Sequence, residues 1–527
     1  MQLRRVASPM IRATIPHSPE DQGQYSQSAS WPDMFVDPVT LSAASHPSQP
    51  AIVDHHRRFN YSELDEAIGG YATVLCAAGV REHDTVVLVA SNDCPSVIAF
   101  HAIRRLNAIS VLVSDHATRS EIAYVLQRTE PRLAIAPRYL LTELIDQNSS
   151  VEWYSSEEAI SAGDFEPFAG VPATPNEPGI VLFTSGSTAR PKGVIHSLNT
   201  LRASSAMYIK AAALKQSDVI FLISPLSSVT GVLQGLFMAP MLGSCVILEN
   251  RWDDALTFDL MMNERATFYG GPDVVLRRLM DEADRRGLSS LPLRAVSVGG
   301  TLLDDALLRR AEKMFGIFVM RAYGSSEVPF STTTPLELGF EERIELDGRP
   351  NDEVSVRIGS SQDESECLVR GPHRFLGYLD EEDNTDSFEE GWFRTGDAAT
   401  WRGDELKIVG RLKEIVIRNG LKISMTAVEH AARKLPFVED AAVFGVPDQE
   451  TGERLVLALR PRDGAKIDFN TLMDALLETG LAKRSLPEEL VIWDAPFPRT
   501  VTDKLRRPAL AVDSVDRPHL FGSRLKS

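Results

Sequence analysis

The chain has 527 residues, which is room for two to four domains with large cores at roughly 150 residues per domain. Its 55 Lys and Arg against 73 Asp and Glu leave a formal charge of -18 without a dense basic run, which disfavours a nucleic-acid partner. A hydrophobic content of 43% excludes a disordered or low-complexity chain and is ordinary for a folded α/β protein.

The four cysteines are scattered and form no Cys-x-x-Cys pair: Cys76, Cys94, Cys245 and Cys367. This spacing predicts neither a disulfide framework nor a zinc site and favours a reducing compartment. The N-terminus lacks the apolar core of a signal peptide, no apolar run approaches the roughly 20 residues of a membrane span, and the chain does not end in the peroxisomal Ser-Lys-Leu. We therefore expect a cytoplasmic protein without a membrane span.

The first part of the chain alternates helical and strand patterns. Residues 1–30 are polar and rich in Ser and Pro, which predicts a loose lead-in. Apolar residues at helical spacing predict a helix over 64–78, and a β-branched run predicts a strand over 85–90. Because this alternation continues to about residue 320, we expect parallel sheets covered by helices.

The pattern changes after about residue 340. Short strands are predicted over 354–358 and 367–370, which indicates a β-rich subdomain at about 340–410. A charged segment at 410–414 then marks a domain boundary. The predicted fold is α/β, with a large N-terminal domain over 31–410 and a small, mobile α+β C-terminal domain over 411–527.

One loop carries a pattern suited to polyphosphate. In the segment 180–193 a buried strand runs into a loop with four hydroxyl side chains, two glycines and Lys192. Glycine lets backbone N-H groups approach phosphate oxygens, hydroxyls donate, and lysine adds a positive charge. The loop is not a Walker motif, because Pro191 and Gly193 stand where Gly and Ser or Thr are required. The alternative is a Ser/Thr-rich surface loop.

This loop resembles the phosphate loop of the adenylate-forming superfamily, which contains acyl-CoA synthetases, luciferases and the adenylation domains of peptide synthetases. Each further motif alone is compatible with an ordinary turn, hairpin or solvated charge, but all follow in the family's order and extend the resemblance from about residue 50 to 507. The matching segments are Val298–Thr301, Arg321–Glu327, Gly391–Asp397, Gly410–Glu414, Arg418–Ser424 and Pro498–Lys504.

The resemblance implies roles for individual residues. The residues implied to bind the nucleotide are Thr184, Ser185, Gly186, Ser187, Thr188, Gly299, Gly300, Tyr323, Gly324, Ser326, Asp397 and Arg411. The residues implied in catalysis are Lys192, Glu327 and Lys504, with Glu327 binding Mg²⁺. Tyr323 would stack on adenine, Ser326 would contact the α-phosphate, and Asp397 and Arg411 would hold the ribose. Lys413 would be the hinge, and Gly420 and Lys422 would line the coenzyme A tunnel.

The implied reaction has two halves and uses Mg²⁺, ATP or a ready-made acyl-AMP, and coenzyme A. A carboxylate first attacks the α-phosphate of ATP to give acyl-AMP and pyrophosphate. The C-terminal domain then turns about Lys413, which withdraws Lys504 and brings Gly420 to the site. A thiol attacks the acyl carbon and expels AMP.

Two departures from the family pattern fall on the handling of ATP phosphates. Ala189 replaces a glycine, and at positive φ its Cβ would cost roughly 1–2 kcal/mol. Asp503 replaces the glycine beside Lys504, and a carboxylate roughly 7 Å from a phosphate is repelled by about 2 kcal/mol per charge at an effective dielectric constant near 20. These changes predict weak or absent adenylation, with a separate adenylating enzyme as a partner.

The expected acyl pocket contains Ser228, Gly231, Gly270 and Gly271. Ser228 cannot neutralise an α-ammonium as an aspartate would, which disfavours an amino acid. The small residues suggest a roomy pocket for a bulky apolar acid, although they could instead merely form turns.

The leading hypothesis is an acyl-CoA ligase for a bulky non-amino acid, specialised for the thioesterification half. Two alternatives remain open. One is an adenylating enzyme that loads a carrier protein, and the other is an inactive protein that binds acyl-AMP.

Overall fold

The computed structural model describes residues 10–32, 36–148, 150–161, 166–184, 190–299, 303–462, 465, 467–498 and 505–522. The chain divides into two compact units. The first unit comprises Met1–Arg357, Leu368–Arg394 and Trp401–Lys407, and the second comprises Ile358–Cys367, Thr395–Thr400 and Ile408–Ser527. No described helix is both long and apolar enough to cross a membrane.

Helices and short strands alternate through the first 211 residues. The helices are α1 (Pro19–Gln27), α2 (Pro38–Ser45), α3 (Tyr61–Ala77), α4 (Cys94–Arg105), α5 (Arg119–Thr129), α6 (Arg138–Gln147), α7 (Glu158–Ser161) and α8 (Leu198–Ala211). The strands are β1 (Pro50–Val53), β2 (Arg58–Asn60), β3 (Thr85–Ala90), β4 (Ile109–Ser114), β5 (Leu133–Ala136), β6 (Trp153–Ser155), β7 (Pro178–Thr184) and β8 (Lys192–Ser197).

The alternation continues to about residue 350. The helices are α9 (Val229–Gly231), a π-helical segment (Val232–Met238), α10 (Ala239–Leu242), α11 (Asp254–Asn263), α12 (Asp273–Arg285), α13 (Asp305–Phe315) and α14 (Phe340–Glu345). The strands are β9 (Val219–Leu222), β10 (Cys245–Leu248), β11 (Phe268–Gly271), β12 (Ala295–Val298), β13 (Phe318–Tyr323), β14 (Thr332–Thr333) and β15 (Arg349–Pro350).

The rest of the chain is richer in strands. The strands are β16 (Ser355–Ile358), β17 (Glu366–Arg370), β18 (Phe388–Glu389), β19 (Trp392–Arg402), β20 (Glu405–Arg411), β21 (Ile415–Arg418), β22 (Leu421–Ser424), β23 (Val438–Asp448), β24 (Gly452–Pro461), β25 (Glu489–Ile492) and β26 (His519–Phe521). The helices are α15 (Met425–Arg433), α16 (Phe469–Glu478) and α17 (Arg507–Asp513), with 3-10 turns at Glu381–Asn384, Leu412–Glu414 and Lys483–Ser485.

Two mostly parallel sheets form the centre of the first unit. One has the order β6-β5-β3-β4-β7-β8 and the other β15-β14-β13-β12-β11-β9-β10-β1-β2. A five-stranded sheet has the order β16-β17-β19-β18 with β20 beside β19, and the sheet of the second unit has the order β22-β21-β24-β25-β26 with β23 beside β24. The predicted α/β class, with a large and a small part, is confirmed.

Apolar residues cover these sheets as expected from their patterns. In the nine-stranded sheet Val296 and Val319 are fully buried against Leu276 of α12 and Leu308 of α13. Helix α3 begins at a reciprocal capping box, in which the Asn60 side chain bonds the backbone of Glu63 and the Glu63 side chain bonds the backbone of Asn60.

The loose lead-in predicted for 1–30 is wrong for the residues that the structure describes. Ile15 donates its backbone N-H to Leu376 O at 2.8 Å, and the Trp31 indole N-H donates to Pro372 O at 3.0 Å. Ile11 and Tyr25 are buried within this range, and Trp31, just beyond it, is almost completely buried. These contacts could not be predicted from the local polar composition, because they join residues about 340 to 360 positions apart in the sequence. The predicted boundary at residue 411 stays a prediction.

Candidate active site

Three neighbouring parallel strands bring predicted site residues to one sheet edge of the first unit. Gly270 and Gly271 end β11, Gly299 follows β12, and Tyr323 ends β13. The register aligns Gly271 with Val298 and Val298 with Arg321. Ligands of open α/β sheets bind outside the carboxyl ends of such strands. The residues expected to bind adenine and the acyl group thus lie at the edge of the sheet where such folds bind ligands.

Close backbone approach explains two glycines at this edge. A Cβ atom built on Gly299 would lie 2.3 Å from Ala322 O, and one built on Gly324 would lie 2.4 Å from Phe330 N. Both contacts are with backbone that cannot be moved aside cheaply. Glycine is therefore required for the loops after β12 and β13 to pack together.

Glu327 is held by a residue that the sequence did not indicate. Its carboxylate accepts a hydrogen bond of 2.7 Å from the Tyr378 hydroxyl, and its carbonyl accepts one of 2.8 Å from the backbone N-H of Phe375. The first bond holds the half-buried carboxylate, and the second fixes the backbone of Glu327. Such a hard oxygen ligand fits Mg²⁺, which commonly takes one or two carboxylates together with substrate phosphate oxygens.

A buried histidine positions the loop that carries Glu327. His196 Nε2 lies 2.7 Å from Ser326 O, and because a carbonyl can only accept, this nitrogen donates. Burial lowers the pKa of His196 to about 4, so the ring is neutral at physiological pH. The hydrogen bond fixes the backbone of Ser326, the residue expected to contact the α-phosphate.

Lys192 lies close to the same tyrosine and to an acidic turn. Its Nζ is 4.6 Å from the centre of the Tyr378 ring and 3.3 Å from Asp383 Oδ1. Arg190, at the end of the phosphate loop, lies 3.8 Å from Asp380, 3.7 Å from Glu382 and 3.8 Å from Asp383. Carboxylates of the protein thus partly neutralise the charges of Lys192 and Arg190.

Thr184 and Lys192 face each other across the β7–β8 pair at the base of the phosphate loop. The remaining predicted residues of that loop, and three further predicted positions, lie outside the described residues: Ser185, Gly186, Ser187, Thr188, Ala189, Gly300, Asp503 and Lys504.

The second unit brings together the two residues expected to bind ribose. Arg411 Nε lies 2.9 Å from Asp397 Oδ1, and Arg411 also donates to Thr395 O at 3.1 Å. Asp397 is buried, whereas more than half of the Arg411 side chain is exposed. Ion pairing therefore holds the buried carboxylate beside a largely exposed arginine.

The coenzyme A segment of the second unit is a tight hairpin. Asn419 and Gly420 join β21 to β22 with positive φ angles of 50° and 75°, which is the geometry of a two-residue hairpin turn. Lys422 donates to Asp363 and to Ser365 at 2.6 Å each. Lys413 lies exposed in the preceding 3-10 turn.

The glycines expected to open an acyl pocket instead permit close packing. A Cβ atom on Gly231 would lie 2.0 Å from Pro225 O, and one on Gly271 would lie 2.4 Å from Tyr269 Oη. Ser228 caps the short helix α9, donating to Pro225 O at 2.7 Å and accepting from Gly231 N at 3.1 Å. A side chain at either glycine would meet protein atoms, and the roomy pocket stays a prediction.

Comparison with known proteins gives two matching family models. The model described as AMP-binding enzyme matches residues 39–379, and the model described as AMP-binding enzyme C-terminal domain matches residues 427–504. Together they span most of the chain.

Similar proteins cover nearly the whole length of the chain. Triostin synthetase I of Streptomyces triostinicus is 30% identical over 90% of this chain and 93% of that protein, and a probable CoA ligase of Humulus lupulus is 28% identical over 87% and 92%. The solved structure of o-succinylbenzoate coenzyme A synthetase from Bacillus subtilis with ATP and a magnesium ion has a TM-score of 0.79 at 22% identity and covers 90% of this chain and 99% of that one.

Proposed function

Because the chain belongs to the family of AMP-binding enzymes, we propose that it converts a non-amino carboxylic acid to its coenzyme A thioester through an acyl-AMP intermediate. The observation that carries this proposal is the arrangement around Tyr378. Its hydroxyl holds the Glu327 carboxylate, and its ring lies under the Lys192 ammonium. One side chain thus contacts both a carboxylate suited to a metal ion and a cation suited to a phosphate group, which supports the proposal.

In the first half-reaction a carboxylate oxygen of the acid attacks the α-phosphorus of ATP, and the bond to pyrophosphate breaks. Mg²⁺ held by Glu327 would supply positive charge to the phosphate oxygens. Lys192 and Lys504 would stabilise negative charge that develops on the phosphates, while Ser326 would donate to the α-phosphate. Tyr323 would stack on the adenine.

In the second half-reaction the sulfur of coenzyme A attacks the acyl carbon, and AMP leaves. The segment containing Gly420 and Lys422 would receive the thiol-bearing arm, and Gly420 itself presents no side chain that could obstruct it. We propose that the change between the half-reactions is a rotation about Lys413. A cytoplasmic location stays a prediction.

We further propose that adenylation is the weaker half. The sequence evidence for this proposal is the presence of Ala189 and Asp503. The structural evidence is the acidic turn of the first unit, formed by residues 380–383. Asp383 pairs with Lys192 at 3.3 Å, so binding of ATP phosphates must compete with a carboxylate that already holds this cation. A separate enzyme would then supply the acyl-AMP.

Asp397→Ala is expected to lower the affinity for a non-hydrolysable acyl-AMP analogue by about five- to a hundredfold. The change leaves the ribose hydroxyls without their acceptor and removes the partner of Arg411, a loss of roughly 1–3 kcal/mol. Calorimetric titration measures this affinity. Asp404→Ala removes the same charge from an exposed turn and should leave it unchanged. Equal affinity of the Asp397 variant and the unmodified protein would contradict the ribose assignment.

Lys413→Pro is expected to reduce one half-reaction at least tenfold and to retain the other. Proline removes most of the φ freedom that a hinge residue needs. Pyrophosphate exchange into ATP and thioester formation from synthetic acyl-AMP measure the halves separately. Lys413→Ala keeps the backbone free and should retain both. Equal loss of both activities in the proline variant would count against alternation about this residue.

A further inference from the structure

A cavity of about 250 Å³ lies within the first unit, and none of the residues assigned to the nucleotide or the acyl group lines it. Much of its wall is apolar: Phe100 of α4, Leu198 of α8 and Phe237 of the π-helical segment are almost completely buried. Val36 and Val171 also line it and are 46% and 37% exposed, so the cavity opens to solvent. Its volume is close to the lower end of the range for small-molecule sites, roughly 300 Å³.

A histidine in the wall of this cavity has an unused hydrogen-bonding capacity. His101 is only 6% exposed, and it forms no hydrogen bond with another described residue. Burial lowers its pKa to about 4, so the neutral ring has one N-H donor and one acceptor nitrogen. Buried polar side chains are nearly always paired. An unpaired ring beside an open cavity therefore indicates a partner that comes from solvent.

Arg104 lies one helical turn further along α4 and lines the same cavity. Its guanidinium donates to Ala108 O and, at 3.3 Å, to Asn107 Oδ1, which are both neutral acceptors. Its Nε is buried and has no partner among the described residues. Burial lowers the pKa of Arg104 to about 10, which still leaves it charged at neutral pH. The wall thus contains a cation that no described carboxylate neutralises.

The acidic residue of the cavity does not supply this missing partner. Asp37 lines the cavity, but it pairs with Arg105 at 3.3 Å and accepts from the backbone N-H of Val39 at 3.0 Å. Arg105 in turn pairs with Asp65 at 2.5 Å. These groups satisfy one another, and the unmatched charge stays with Arg104.

We propose that this cavity is a second ligand site, which binds a small amphipathic carboxylate. The carboxylate would lie beside Arg104 and His101, and its apolar body would pack against Phe100, Leu198 and Phe237. A buried cation is stabilised by an anion that accepts its hydrogen bonds, and the carboxylate is the acceptor that matches a guanidinium in shape and charge. The site goes beyond the proposed ligase function and does not depend on it.

Calorimetric titration of the full chain with octanoate tests the proposal, and octanamide is the neutral ligand of similar shape. The unmodified protein is expected to bind octanoate at least tenfold more tightly than octanamide, because only the carboxylate forms hydrogen bonds in which both groups are charged. A saturating non-hydrolysable acyl-AMP analogue should leave the octanoate affinity unchanged, since the analogue is expected at the strand ends and not in this cavity.

Two variants locate the binding in the cavity. Arg104→Met keeps an unbranched side chain without the charge, and is expected to reduce the preference for octanoate to less than threefold. Its control is Arg119→Met, at an exposed position of α5, which should retain the preference. Ala169→Trp adds a large ring to the cavity wall and is expected to weaken octanoate binding at least tenfold. Ala482→Trp, in an exposed turn of the second unit, should not weaken it.

Unfolding temperatures establish that these variants fold, and Ala169→Trp decides the question alone should Arg104→Met fail to fold. Equal affinity of the unmodified protein for octanoate and octanamide would overturn the proposal. Unchanged octanoate affinity in Ala169→Trp, or displacement of octanoate by the acyl-AMP analogue, would also overturn it. Each of these results is independent of whether the chain forms thioesters.

Discussion

Glu327→Gln is expected to slow acyl-AMP formation by about 10² to 10³-fold, while thioester formation from supplied acyl-AMP changes less than about threefold. Glutamine keeps the shape of the side chain and can still accept from Tyr378, but it loses the negative charge on which the proposed binding of Mg²⁺ depends. Losing one preorganised electrostatic stabiliser of a transition state typically has an effect of this size. Synthesis of ATP from acyl-AMP and pyrophosphate measures the first half-reaction in reverse and remains sensitive when the forward step is slow.

Tyr378→Phe is the matched control for this experiment. It removes the hydroxyl that holds Glu327 and leaves the carboxylate, so we expect a loss of about tenfold, which corresponds to roughly 1.5 kcal/mol, the lower end of the value of a hydrogen bond to a charged group. The metal-ligand assignment would be contradicted if Glu327→Gln slowed both half-reactions equally, or if it had no larger effect than Tyr378→Phe.

The double change Ala189→Gly with Asp503→Gly is expected to raise acid-dependent exchange of pyrophosphate into ATP by about one to three orders of magnitude. By the resemblance in sequence, the first change would remove a backbone strain of about 1–2 kcal/mol, and the second would remove a repulsion of about 2 kcal/mol from the phosphates. Thioester formation from synthetic acyl-AMP uses neither contact and should change little. Both positions lie outside the described residues, so this prediction depends on the resemblance in sequence.

Asp404→Gly serves as the control for the charge removed with Asp503, because Asp404 lies in an exposed turn remote in sequence from the phosphate loop. It should leave the exchange rate unchanged. Fast exchange in the unmodified chain, with no further gain in the double variant, would refute weak adenylation and indicate an ordinary two-step ligase.

Local patterns predicted much of the fold. The strand expected over 85–90 is β3, and the helix expected over 64–78 is α3 at Tyr61–Ala77. Both contain the periodic apolar residues that secondary structure requires, so their type could be inferred from short stretches. The start of α3 was missed by three residues because it is set by the Asn60 capping box and not by the apolar period.

Contacts between distant segments could not be predicted in this way. Tyr378 bonds Glu327 from 51 positions away, and Gln234 bonds Gly270 from 36 positions away. No local sequence pattern identifies the partner of Tyr378 or of Gln234, because only tertiary packing brings each pair together. The glycines left the shape of the acyl pocket open for a related reason, because a missing side chain is compatible with either an open pocket or close packing.

The most direct test of the account is the release of AMP from a synthetic acyl-AMP in the presence of coenzyme A, measured beside acid-dependent pyrophosphate exchange in the same preparation. A panel of structurally diverse carboxylic acids provides the acyl groups. We predict rapid, coenzyme-A-dependent release of AMP with formation of the thioester, at a rate at least tenfold above pyrophosphate exchange. Tight binding of acyl-AMP without AMP release on addition of coenzyme A would contradict the account and indicate a carrier-protein thiol or an inactive binding protein.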